Sequence, residues 1–116
     1  MENLYKVLKS KIVEIDSRDN LTIKKLKNYY SFKLKSNNVI RSFVDVYVQK
    51  EKIRLQVSSK LIKLDDYKDS ENWLHESNEN WTLGLRFYIK TEKDISYALY
   101  LIKQSYQTVH NKISKD

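Results

Sequence analysis

Tyr29, Tyr47 and Tyr88 fall in runs where apolar and polar residues alternate, interleaved with Lys33, Lys35, Arg41, Arg54, Arg86 and Lys90. Aromatic rings stack on unpaired bases and cations neutralise phosphates, so this combination is what binders of single-stranded DNA or RNA display. The nucleic-acid-binding candidates are therefore Lys33, Lys35, Arg41, Arg54, Arg86, Tyr88 and Lys90. Two other readings use the same residues. Tyrosine suits half-exposed sheet positions for packing reasons alone, and aromatics with arginine also build the cores of protein interfaces.

The acids concentrate elsewhere. Six of the 15 (Asp65, Asp66, Asp69, Glu71, Glu76 and Glu79) lie between Leu64 and Glu79 against the single Lys68, which leaves the rest of the chain with 21 bases and 9 acids. His75 sits among these carboxylates and invites a divalent-metal reading. However, the acids lack the spacing of a calcium loop, and His75-Glu76 is not followed by a second histidine at helical spacing. A solvated acidic loop is the favoured reading, and no metal site is assigned. Asp45 with Asp66-Tyr67-Lys68 superficially matches the acid, acid-x-lysine pattern of restriction nucleases, which makes a metal-dependent nuclease through Asp45, Asp65 and Asp66 a minor alternative. There the acids should lie on adjoining strands, whereas Asp66 falls in a loop. Gly84 is the single glycine, so no glycine-rich phosphate cradle exists, and neither His75 nor His110 has an orienting partner that would activate a serine. No catalytic residue and no cofactor is assigned, and an enzyme is not expected. The same loop carries Tyr67 and Trp73, the candidate interface residues for a protein partner or a second copy of the chain. A long connection without periodicity is often a binding or interface element.

Composition bounds the remaining possibilities. At 116 residues the chain reads as a single domain, residues 1–116, long enough to bury a core without staples. It has no cysteine, which removes disulfides, thiolate metal sites and cysteine nucleophiles, and fits a cytoplasmic protein. No apolar run approaches the ~18 residues of a membrane span, so no membrane role is expected. The net charge of +7 attracts phosphate backbones, and equally an acidic protein, while lysine also serves simply to solvate a surface.

The elements that would position the candidate residues follow from periodicity. Leu4, Val7, Leu8, Ile12 and Ile15 recur at helical spacing and predict an amphipathic first helix. Leu21 to Asn28 is ambiguous between a strand and a helical turn. Tyr30, Phe32 and Leu34 alternate with Ser31, Lys33 and Lys35; Phe43, Asp45 and Tyr47 alternate with Val44, Val46 and Val48; and Ile53, Leu55 and Val57 follow a polar turn, so a three-strand meander is predicted. From Lys63 to Asn80 the spacing predicts a long loop with one helical turn around Glu71 to His75. Trp81, Leu83, Leu85, Phe87 and Ile89 then predict a strand with one buried face. Thr91 with Asp94 reads as a capping box, opening a helix whose stripe is Ile95, Leu99, Ile102, Tyr106, Val109 and Ile113. The expected fold is α+β, in the order α-β-β-β-loop-β-α: an antiparallel four- to five-stranded sheet packed against the N-terminal and C-terminal helices.

The run from Lys93 to Tyr106, Lys-Asp-Ile-Ser-Tyr-Ala-Leu-Tyr-Leu-Ile-Lys-Gln-Ser-Tyr, resembles the closing helix of a bacterial and archaeal domain of unknown function often labelled "predicted transport protein". Tyr29-Tyr30-Ser31-Phe32-Lys33 is similar to that family's aromatic second segment. Phe43-Val44-Asp45-Val46 with Gln49-Lys50 resembles its central strand and turn, and Leu64-Asp65-Asp66 falls where it often has Leu-Asp-Asp. Where the family typically reads Gly-His-Trp-Gly this chain has Glu79-Asn80-Trp81-Thr82, so no role tied to that histidine is carried over. Members of the family occur alone or C-terminal to nuclease and restriction-type domains. The resemblance therefore implies an accessory module in nucleic-acid processing, restriction or defence, with a nuclease or restriction-type protein or domain as partner. The resulting expectation is a non-catalytic binding module that engages nucleic acid through a basic face. The alternative is a protein-interaction or homodimerisation module.

Overall fold

The computed structural model describes residues 1–16, 20–36, 38–58, 76–77 and 83–114. Helix α1 spans Glu2–Val13 and buries Leu4, Tyr5, Leu8 and Ile12, with Glu2 in its first turn and Lys11 in its last complementing the helix dipole. Six strands follow among the described residues, each antiparallel to its neighbours in the sheet: β1 (Leu21–Lys25), β2 (Tyr30–Ser36), β3 (Val39–Val48), β4 (Ile53–Val57), the two-residue β5 (Glu76–Ser77) and β6 (Leu85–Ile89). Spatially the sheet runs β1-β2-β3-β4-β6-β5. The fold is α+β. The ambiguous segment after Asn20 is a strand, because Leu21 and Ile23 pair with Leu34 and Phe32 and lay their side chains on the core.

Short polar turns set the registers. Leu26 donates to the Tyr29 carbonyl at 2.8 Å between β1 and β2, and Gln49 donates to the Lys52 carbonyl at 3.0 Å between β3 and β4. Phe32, Leu34, Val44, Val46, Ile53, Leu55, Val57, Leu85, Phe87 and Ile89 form one core with α1 and with helix α2 (Ile95–Ser114). Fully burying each aromatic or branched side chain contributes roughly 1.5–3 kcal/mol. Both helices therefore cover the same sheet face. A single 3-10 turn at Glu92–Asp94 leads into α2 and carries the capping box: the Asp94 carboxylate accepts from the backbone N–H of Lys90 at 2.8 Å and of Thr91 at 3.1 Å.

Two expectations need correction and a third is extended. Phe43 does not share a face with Asp45 and Tyr47. The register of β2 against β3 shifts between Phe32 and Lys33, and this bulge turns both Phe43 and Val44 into the core. The last strand begins at Leu85 rather than at Trp81. Leu83 is buried, but it lines a cleft with Lys33, Asp45 and Gln56 on the side away from the helices, its carbonyl accepting from Gln56 Nε2 at 3.3 Å. The stripe of α2 is wider than expected: Ile95, Ile102, Val109 and Ile113 are buried as the spacing predicts, Ala98, Leu101 and Ser105 join them fully buried, and Leu99 also lines a groove with Val7 and Ile15 beside α1. Trp81 and most of the predicted loop from Lys63 to Asn80 lie outside the described residues, within which Glu76 and Ser77 pair with Arg86 and Leu85.

Candidate functional site

The side of the sheet away from the helices carries the polar half of every strand, and the registers bring those residues into rows across the strands. Tyr47 on β3 is the Cα partner of Arg54 on β4, and Arg54 is the partner of Tyr88 on β6. Tyr29, just before β2, stacks on Tyr47 with ring centroids 4.6 Å apart and planes 22° from parallel. From the β4 side the Arg54 guanidinium lies 3.9 Å from the Tyr47 centroid, and Lys52 Nζ lies 4.2 Å from that of Tyr88. Such cation–π contacts contribute about 0.5–2 kcal/mol each and hold the cations in place. The row reads Tyr29, Tyr47, Arg54, Tyr88, with Lys52 closing it.

This geometry changes what the tyrosines can offer. Tyr47 has its ring engaged by Tyr29 and by Arg54, so it is not the free stacking platform that the sequence suggests. What the row offers is a guanidinium and an ammonium held against tyrosine rings. Among the described residues Arg54 Nε meets no hydrogen-bond acceptor. Burial raises the Tyr29 hydroxyl above its ordinary value near 10.0, with the neighbouring Asp45 and Tyr47 pushing the same way.

A second row lies beside the first. Ser31, Asp45, Gln56 and Arg86 are successive Cα partners across β2, β3, β4 and β6. Ser31 hydrogen-bonds the Asp45 carboxylate, and Ser31 Oγ lies 2.7 Å from Ser42 Oγ. A hydroxyl has one proton; Ser31 gives its proton to Asp45, so Ser42 is the donor to Ser31. Burial raises Asp45 above the ordinary carboxyl value, against the opposing pull of the Ser31 hydrogen bond and the Lys33 charge. Its Oδ1 is sealed from water and has no donor among the described residues.

Lys33, Arg54, Arg86 and Tyr88 are thus brought onto one face. Lys35 continues the same side of β2 as an exposed residue, and Arg41 is exposed at the rim, lining the cleft around Asp45 with Lys33, Ile40 and Ser42. Lys90 is exposed just past β6, beside Gln49, Lys50, Glu51 and Lys52 of the β3–β4 turn. Tyr67 and Trp73 lie outside the described residues, as do Asp65, Asp66 and His75. Among the described residues no group of three or more histidines and carboxylates comes together. His110 stacks on Tyr106, which packs edge-on against Phe43. Sequence reasoning overlooked Lys52, because a turn lysine carries no periodic signal and its place over Tyr88 depends on the β4–β6 register. Among the described residues no helix is long and apolar enough to cross a membrane. Set against known proteins, the chain matches no family model, no curated protein and no solved structure.

Proposed function

We propose that this chain is a non-catalytic binding module that holds single-stranded nucleic acid along the sheet face opposite its helices. The row Tyr29-Tyr47-Arg54-Tyr88 with Lys52, flanked by Lys33, Lys35, Arg86 and Lys90, is the observation that carries the reading. A broad sheet face accommodates a strand whose bases are splayed out. Arg54, already held 3.9 Å from the Tyr47 ring, loses little freedom on meeting a phosphate. The bases of the strand meet the outer edges of Tyr29 and Tyr88. The resemblance to a domain that accompanies nuclease and restriction-type chains agrees with an accessory role in nucleic-acid processing or defence.

The test is a salt series. Fluorescence anisotropy with short single-stranded DNA and RNA should give a binding constant that falls steeply with salt. About four phosphates neutralised by Lys33, Lys52, Arg54 and Arg86 correspond to a log–log slope of about −3. Arg54→Ala should weaken binding of every sequence alike and make the slope shallower by about 0.7. Absence of binding to either polymer at low salt overturns the reading.

A further inference from the structure

At one corner of the sheet the β3–β4 turn meets the end of β6. Gln49, Lys50, Glu51, Lys52 and Lys90 line a cleft of about 590 Å³ there, inside the roughly 300–1,000 Å³ range of small-ligand sites. The backbone carrying these lysines is fixed at both ends: Gln49 donates to the Lys52 carbonyl at 3.0 Å across the turn, and Lys90 donates to the Asp94 carboxylate at 2.8 Å. Their side chains differ in freedom. Lys50 and Lys90 are exposed, whereas Lys52 is half-buried with its ammonium against the Tyr88 ring.

The charge of the cleft selects its occupant. Three lysines against the one glutamate leave the lining two positive charges in excess. An internal phosphodiester brings one negative charge, but a phosphomonoester carries about −1.5 to −2 at neutral pH together with three accepting oxygens. Ammonium groups on flexible stems are point charges that can converge on such a group from several directions. The cleft also borders the row already described, since Lys52 lines the cleft and lays its ammonium over the Tyr88 ring of the row.

We infer that this cleft receives the terminal phosphate of a bound nucleic-acid strand, with Lys50, Lys52 and Lys90 as its ligands and Tyr88 beside the terminal nucleoside. The inference rests on the nucleic-acid reading of the same face and adds end recognition to it. Either end of a strand can carry a phosphomonoester, so the test separates them.

One short single-stranded sequence is prepared with a 5′-phosphate, with a 3′-phosphate and with hydroxyls at both ends, and the affinity of each is measured at one low salt concentration. One phosphorylated form should bind about tenfold or more tightly than the hydroxyl form, as charge-assisted hydrogen bonds to the added group require. In the double variant Lys50→Ala with Lys90→Ala the ratio should fall toward one. Arg54→Ala should weaken all three forms and keep the ratio. Equal affinities for the three forms in the wild type overturn end recognition while leaving strand binding intact. A preference that survives in the double lysine variant overturns the assignment of the cleft. Failure to bind any of the three overturns both readings together.

Discussion

Stacking determines what Arg54 and Tyr47 present to a ligand, and burial determines what Asp45 costs the protein. Asp45 sits between Ser31 and Gln56 with Lys33 and Arg41 as the cations lining its cleft, and burial outweighs both the Lys33 charge and the Ser31 hydrogen bond, so its pKa is raised above the ordinary 3.8. A carboxyl with a raised folded-state value holds its proton more tightly in the native protein than in the unfolded chain. Stability contributed this way is present below the unfolded value and is lost as pH rises through the folded one. Asp45→Asn should therefore melt higher than the wild type at neutral pH, the two curves converging in acid as Asp45 takes up its proton. Thermal melts across pH check this, and a variant less stable than the wild type at neutral pH rejects it. The sequence marked Asp45 only as one acid of a nuclease pattern. Its burial depends on partners distant in sequence, Ser31 across one strand and Leu83 beyond the other, and no local pattern encodes that enclosure.

At the scale of elements, the bulge in β3 shapes the sheet and Ser105 holds it. Inserting Phe43 into the core breaks the ladder locally. Ser105 on α2, fully buried, donates to the Phe43 carbonyl at 2.6 Å and accepts from the Ser58 N–H at 2.9 Å just past β4. One hydroxyl thereby joins the central helix to two strands. Ser105→Ala removes the hydroxyl that bonds both backbone groups and should cost about 2–4 kcal/mol. Urea denaturation should show a lower midpoint with an unchanged slope, and a loss below about 0.5 kcal/mol would mean that the two groups find other partners. The alternation of Leu85, Phe87 and Ile89 and the capping box of Thr91 and Asp94 made the final strand and helix legible, because each uses a period that burial enforces. The same alternation failed at Leu83 and at Phe43 for a shared reason. A bulge or a strand end reverses the side a residue faces, and the sequence on either side keeps its period.

For the whole molecule the question is whether the proposed affinity for nucleic acid belongs to the folded face or to a lysine-rich chain in any conformation. Both helices cover one side of the sheet, so the cations of the other side are arranged only in the native state: Arg54 is placed by Tyr47, Lys52 by Tyr88, and Lys33 by the β2–β3 register. The net charge of +7, by contrast, survives unfolding. A ligand that binds the native state alone raises the melting temperature by mass action. At a hundredfold excess over its dissociation constant the gain is about 2.7 kcal/mol, and for a chain of this length that is a rise on the order of 10 °C. A ligand drawn to positive charge as such binds the unfolded chain equally and leaves the melting temperature where it was, or lowers it. Single-stranded oligonucleotide at low salt should therefore raise the melting temperature by several degrees. The rise should shrink as salt is added and be smaller for Arg54→Ala. Strong binding with no thermal shift would assign the affinity to charge alone and separate it from the Tyr47–Arg54 row.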